Sequence, residues 1–415
     1  MKSTDSLPRE SGQRPGQTPL HILTLTPFFP SRENEVGGCF VKEPLDVLAK
    51  LGVASSVIAV SPIYNPRHPI PEAPAHWLRY PQIPGTIGLP TAGLFLYARL
   101  MRTVADLHKK RPIDVIHAHA ALPGGHTASL LARRLRLPYF VTVHGLDVFN
   151  TCFLEGAPAL WRRRVSIKVY EDANTVVCVS HRVQRILNDG MPGAVRGAVV
   201  YNGTDCDLFS PESPPSGSAA SDHRNNSSPE ILVVGNLIAG KGQHLVLRAV
   251  HRLASSFPQL RCHVIGEGPE RASLEALARE LGIGERVRFA GRQSRLAVAS
   301  AMRNCTVFAL PSRSEGLGCV YLEAMACSKP VIACREQGIE ELIEHQKNGW
   351  LISPDSLDEL SHGLEALLRS PDRALQIGAS ARQTILNGLT LAHQAHNLAT
   401  LYRQAAVLHA QDRAL

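Results

Sequence analysis

Short apolar runs alternate with longer stretches of helical spacing along most of this chain. Leu20–Leu25 has β-branched character, ends at Thr26-Pro27, and reads as a first strand. Phe40–Leu51 has helical spacing, Val53–Val60 returns to a strand, and Ile113–His117 is a strand ending in a polar cluster. Gly125–Arg136 predicts a helix, while Tyr139–Val143, Val176–Val179 and Val199–Tyr201 continue the strands. Pro211–Pro229 breaks the pattern: it is rich in Ser, Pro and Asn, almost nothing in it is apolar, and it reads as a mobile linker. The alternation then restarts. Strands are predicted at Ile231–Val234, Arg261–Ile265, Arg286–Ala290, Val307–Leu310 and Pro330–Ala333, helices at Gln243–Phe257 and Arg271–Leu281, and helical structure from Leu357 onward.

Strands alternating with helices predict an α/β fold with parallel sheets. The expected organisation is a disordered tail at 1–18, one domain at 19–208, a linker at 209–229, a second domain at 230–390 and a final helix at 391–415. A length of 415 residues agrees with two cores rather than one. Ligands of such sheets bind beyond the carboxyl ends of the strands, which places a crevice between the two domains.

Composition narrows the partners. The net charge of +8 suits anionic small molecules, anionic lipid surfaces or nucleic acid. There is no dense Lys/Arg run with interleaved aromatics, which argues against nucleic acid. The cluster Trp161-Arg162-Arg163-Arg164 is equally well read as one face of an amphipathic helix. The nine cysteines are odd in number, scattered and without a C-x-x-C pair, as in reduced core residues of a cytosolic protein. Residues 1–18 lack the apolar core of a signal peptide, and the apolar stretch Gly88–Met101 is too short to span a bilayer. A cytoplasmic protein is expected, with peripheral membrane contact left open.

The candidate chemistry begins with two glutamates eight residues apart. Glu315 stands in the loop Ser314-Glu315-Gly316-Leu317-Gly318, and Glu323 on the apolar helix that follows. A carboxylate accepts hydrogen bonds from neighbouring hydroxyls, which a nucleotide-activated sugar offers on both sugar ring and ribose. The loop glycines let backbone N–H groups at a helix start face a diphosphate. The competing reading makes Glu315 a solvated loop residue and pairs Glu323 with a surface arginine.

Gly235-(x)4-Gly240-Lys241 follows a strand and opens a helix, but Gly242 stands where a phosphate-binding NTPase loop needs Ser or Thr for Mg²⁺. What survives is Lys241 with glycine N–H groups as a phosphate contact. Gly37-Gly38 lies between the first strand and first helix, where it permits close ligand approach or simply a turn. His117-x-His119 and His144-Gly145-x-Asp147 are placed at strand ends. With His126 they raise a metal site, but no acidic or thiolate residue completes a familiar spacing. Hydrogen bonding to a substrate is the reading preferred for His144, and a satisfied core histidine is the alternative for His117. Asn202-Gly203 with Asp205 and Asp207 reads as a capped turn. Gly266-Glu267-Gly268-Pro269 shapes a base pocket or only a connection, and Gly338–Glu341 is a candidate floor of the site.

In this order, the motifs resemble the GT-B glycosyltransferases of family 4. The resemblance runs from about Leu20 to Leu351. It rests on Val234-Gly235-x-Leu237-(x)3-Lys241-Gly242, Gly266-x-Gly268-Pro269, Pro311-Ser312-x-x-Glu315-Gly316-x-Gly318, Glu323-Ala324-Met325-Ala326 and Pro330-Val331-Ile332-Ala333. The amino half is similar to enzymes that build bacterial surface polysaccharides.

The resemblance implies two Rossmann-like domains facing a cleft, an acceptor domain first and a donor domain second, with the last helix crossing back to the first. It implies Glu315 at the donor sugar, Glu323 at the ribose, and Lys241 with the Gly316-Leu317-Gly318 backbone at the diphosphate. Gly38, Asn236 and Gly268 complete the donor side, His144 lies near the transferred sugar, and Gly37, His119 and Asp147 face the acceptor. The family often has Arg where this chain has Asn236, so Arg313 or Arg292 is the expected source of the missing charge.

The activity implied is a retaining, metal-independent hexosyl transfer from a nucleoside-diphosphate sugar, the only co-substrate expected, to a glycan or lipid-linked acceptor. A sugar-nucleotide epimerase and a non-catalytic nucleotide-binding protein are the alternatives.

Overall fold

The computed structural model describes residues 19–81, 88–145, 147, 157–191, 193, 195–211 and 228–414. The expected tail at 1–18 and most of the expected linker lie outside the described residues. The chain forms two fully parallel sheets. The first contains seven strands, β1 (Leu20–Thr26), β2 (Val53–Pro62), β3 (His76–Tyr80), β4 (Val115–His119), β5 (Tyr139–Val143), β6 (Thr175–Cys178) and β7 (Gly197–Val199), in the order β3-β2-β1-β4-β5-β6-β7. The second contains six, β8 (Glu230–Val234), β9 (Arg261–Ile265), β10 (Val287–Gly291), β11 (Val307–Leu310), β12 (Val331–Cys334) and β13 (Trp350–Ile352), in the order β10-β9-β8-β11-β12-β13. In each sheet the order reverses beside the first strand, the switch point at which α/β sheets open a ligand crevice.

Alternation along β1 decides what covers each face. Leu23 and Leu25 point into the main core, whereas Ile22 joins Val115, Phe140 and Val177 on the other face. That second face is covered by Leu48 of the helix Cys39–Lys50 and by Ala395, Leu398, Ala399 and Tyr402 of the helix Leu391–Ala414. The last helix is therefore part of the first domain's core. Burying such apolar side chains stabilises by roughly 1.5–3 kcal/mol each.

Several elements depart from expectation. The edge strand β3 and the helix Gly88–Lys110 replace what reads as loop and a short apolar stretch. The helices His181–Gly190 and Arg295–Asn304 and strand β13 were also unforeseen. The β4 strand starts two residues later than expected, so His117 is central in it and only His119 ends it. The helical C-terminal region divides into Leu357–Arg369, Pro371–Leu386 and Leu391–Ala414, with Pro371 opening the second. Among the described residues every cysteine is free, and no helix is long and apolar enough to cross a membrane.

The domains touch through hydrogen bonds that cross the cleft. The clearest is at the helix His181–Gly190. Its first two amides, His181 N–H and Arg182 N–H, donate to the carboxylate of Glu341 in the other domain, which also accepts from Tyr201 Oη at 2.8 Å. The N-cap Ser180 accepts from Val183 N–H at 3.1 Å and donates its own proton across to the Gly316 carbonyl at 2.7 Å.

Candidate active site

A cleft of about 430 Å³ opens where the carboxyl ends of the two sheets face each other. Gly37, Gly38 and His144 line it from the first domain. Asn236, Lys241, Glu315, Gly316, Leu317, Gly318 and Glu323 line it from the second. Three expected site residues do not. Gly268 lies behind the wall: a Cβ there would come within 2.2 Å of the Leu237 carbonyl oxygen, so this glycine serves the contact between two loops. His119 sits one layer behind His144. Asp147 accepts from Gly145 N–H at 2.9 Å and His144 N–H at 3.1 Å, which fixes the histidine's backbone.

The two-glutamate loop is built by glycine geometry. Gly318 has φ of +87° and caps the helix Cys319–Ala326. A Cβ on Gly316 would lie 2.3 Å from the His144 carbonyl oxygen, so only glycine lets this loop touch the first domain. Glu315 is not a solvated loop residue. It is 8 % exposed, its amide donates to Gln337 Oε1 at 3.0 Å, and its carboxylate accepts from Lys241 Nζ at 2.5 Å. Gly338 packs against the Gly316 carbonyl, so the Gly338–Glu341 turn does support this loop from beneath.

Lys241 ends the single helical turn Ala239–Lys241, and Gly242 follows at φ +72°. A Cβ on Gly242 would approach the Pro311 carbonyl oxygen to 2.2 Å. The hydroxyl residue of an NTPase loop has no room there, and that reading is overturned.

Glu323 accepts from Arg295 Nη1 at 2.5 Å, and Arg295 also reaches Glu43 of the first domain at 2.8 Å. The arginine expected for Glu323 thus exists, but it is sequestered in the cleft wall rather than at the surface. Of the two cations expected to compensate for Asn236, Arg292 lines the cleft and donates to the Glu33 carbonyl at 3.2 Å. Arg313 pairs instead with exposed Asp355 at 3.0 Å, outside the cleft lining.

Behind His144 the rings of His119 and His117 stack in series, with centroid separations of 5.3 and 4.7 Å. His144 Nε2 and His119 Nδ1 share a hydrogen bond at 3.0 Å, and His117 bonds Tyr402 Oη and Thr142 Oγ1 through its two ring nitrogens. Phe28 and Phe40 close over His144. Burial lowers His117 and His144 to about 3 and pushes His119 well below its usual range, so all three are neutral. His126 is elsewhere, bonded to the Pro90 carbonyl. No described group of three His, Cys, Asp or Glu side chains is arranged to hold a metal ion. Asn202 and Gly203 do more than cap a turn. Both hydrogen-bond Gln394 of the returning helix, and Asn202 Nδ2 donates to Cys319 Sγ at 3.3 Å.

Residues 40–208 match the family model for Glycosyltransferase Family 4, and residues 219–384 match that for Glycosyl transferases group 1. The chain is 30 % identical to the D-inositol 3-phosphate glycosyltransferase of Mycolicibacterium paratuberculosis, over 78 % of this chain and 74 % of that protein. It is 27 % identical to a GDP-mannose-dependent alpha-(1-6)-phosphatidylinositol monomannoside mannosyltransferase of Mycobacterium tuberculosis, over 73 % and 77 %. Among solved structures, Anabaena HepE in complex with UDP-glucose superposes with a TM-score of 0.71 at 20 % identity, over 93 % of this chain and all of that one.

Proposed function

Because this chain belongs to the family 4 glycosyltransferases and carries their GT-B fold, we propose that it moves a hexose from a nucleoside-diphosphate sugar to a glycan or lipid-linked acceptor during surface-polysaccharide or glycoconjugate assembly. The observation that carries this reading is the Lys241–Glu315 pair on the cleft wall, beside the amide end of the Cys319–Ala326 helix. A cation, a helix start and a carboxylate side by side match the needs of a diphosphate attached to a sugar. Lys241 exchanges its partner for phosphate oxygens, and Glu315 is freed to accept from sugar hydroxyls.

The reaction in this reading is metal-independent and retains configuration. The anomeric carbon–phosphate oxygen bond breaks, and the acceptor oxygen bonds to the same face. Its proton passes to the departing phosphate oxygen, whose charge is stabilised by Lys241 and the loop amides. Neutral His144, fixed by Phe28, Phe40 and Asp147, offers a hydrogen bond to the transferred sugar without adding charge.

Membrane proximity of the acceptor is supported by two touching helices of the first domain. Gly88–Lys110 exposes Leu94 and Phe95, then Arg99 and Arg102; Ala157–Glu171 exposes Leu160 and Trp161, then Arg164 and Lys168. Apolar side chains followed by cations suit an anionic bilayer surface.

The test is release of nucleoside diphosphate from UDP-, GDP- and ADP-sugars with EDTA present, for the native chain and Glu315→Gln. Release from one donor that is abolished by Glu315→Gln is expected. Activity restored only by added metal, or a fully active variant, would refute the proposal. Donor conversion without transfer would mark an epimerase.

A further inference from the structure

Arg295 has no role in the donor-site reading, yet it joins three parts of the molecule. Its Nη1 donates to Glu323 Oε1 at 2.5 Å, and its Nη2 to Glu43 of the facing domain, at 2.8 Å to Oε1 and 3.0 Å to Oε2. Its guanidinium carbon stands 4.8 Å from the ring centre of Phe209, where the first domain ends. The three charged side chains are withdrawn from water, at 21 % exposed for Arg295, 18 % for Glu43 and 8 % for Glu323. Arg295 Nε is buried without a partner.

Two sequestered carboxylates here share one cation. Burial pushes Glu323 up from its ordinary range, and Arg295 offsets part of that rise. Burial also pushes Glu43 up to about 7, against the pull of Arg295. The other titratable groups acting on this cluster are the thiols of Cys39 and Cys319, which burial keeps protonated, together with Lys42 and Asp205. A carboxylate that recognises a vicinal diol must be ionised, because only then are all its lone pairs free to accept. A buried glutamate without a cation takes up a proton and loses that capacity.

We propose that Arg295 is a positioning residue of the nucleotide site: it holds Glu323 ionised and aligned to accept from the ribose diol of the donor, and anchors that carboxylate to Glu43 across the cleft. The proposal rests on reading Glu323 as the ribose-binding carboxylate. Arg295 lines the cleft beside Glu323 and acts on the nucleotide through that carboxylate. It sets the charge state of that group, and its planar fork can serve both carboxylates at once where a lysine cannot.

The experiment measures dissociation constants of UDP, GDP and ADP by calorimetry between pH 6.5 and 9, for the native chain, R295Q, R295K and E323Q. With the nucleotide that the native chain retains, R295Q is expected to bind about tenfold more weakly at pH 7. It should recover most of that loss by pH 9, as Glu323 ionises unaided. R295K keeps the charge, so its loss should be a few-fold and flat with pH. R295Q binding like the native chain overturns the proposal. So does a loss that is equal at every pH, because a mere brace between domains has no reason to titrate. If E323Q retains native affinity, or the native chain binds none of the three, the ribose reading itself has failed. If E323Q binds weakly while R295Q is unaffected, only the role of Arg295 has failed.

Discussion

Neutral His117, His119 and His144 make this fold sensitive to acid. Their folded values lie far below the ordinary 6.5, so between that pH and about 3 the unfolded chain binds more protons than the folded one. Stability is complete above 6.5 and is lost as pH falls. Each histidine contributes a slope that approaches about 1.4 kcal/mol per pH unit below 6.5, so the three together remove up to about 4 kcal/mol between pH 7.5 and 5.5. Denaturant unfolding at pH 7.5 and 5.5 measures this, and equal stabilities would mean that the histidines are already charged in the fold.

The nucleotide reading makes its own demand on Lys241. Lys241→Ala removes a charge-assisted contact and leaves Glu315 without its partner, so nucleoside diphosphate affinity should fall by about 1.5–3 kcal/mol, roughly ten- to hundredfold. An unchanged dissociation constant would place the phosphates elsewhere. That Glu315, Glu323 and Lys241 come together at one cleft was legible in the sequence because fixed glycines frame them. Gly268 stands outside the cleft lining, and in a sequence a glycine required by a neighbouring loop looks identical to one required by a ligand. Arg295 and Glu43 carried no signal: 252 residues separate them, and only the meeting of the two domains pairs them.

The elements best read from the sequence are the buried central strands. Expected and observed bounds agree to the residue for β5, β9 and β11, which lie inside their sheets and are followed by His144, Gly266 and Pro311. The edge strand β3, His-Trp-Leu-Arg-Tyr, mixes exposed and covered positions without strict alternation and left no strand signal. The helix Gly88–Lys110 was hidden by Pro90 and Gly93 and by the outward Leu94 and Phe95, which blur its apolar face. The helices after Ser180 and Ser294 did carry a signal, a capping serine before spaced apolar residues, as at Val183 and Leu187.

In the proposed function, transfer depends on the loop from Glu315 to Gly318. Gly316→Ala puts a methyl against the His144 carbonyl, so the loop must retreat from the first domain. Nucleotide affinity should fall less than the rate, because Lys241 and Glu323 stay in place while the loop amides shift. Transfer should fall about a hundredfold, because displacing reacting groups by an ångström costs on that order. Parallel losses in affinity and rate would instead indicate that the second domain itself is disturbed.

At the scale of the whole molecule, the two sheets are covalently joined and held face to face by polar contacts beside an apolar cluster that runs through both domains. Glu341 accepts three hydrogen bonds from the first domain. Glu341→Ala should weaken closure by about 1.5–3 kcal/mol. Small-angle scattering should then show a larger radius of gyration for the variant, narrowing again with saturating nucleotide sugar. Identical scattering from both proteins would show that other contacts hold the cleft shut.

The same carboxylate gives the molecule a clock. The first turn of the helix His181–Gly190 is finished by an atom that belongs to the other domain, so that turn is complete only while the halves meet. An opening would release the His181 and Arg182 amides to water, and deuterium would enter there in proportion to the open fraction. Two backbone hydrogens, far in sequence from every candidate catalytic group of the second domain, would thereby record its opening without an attached probe.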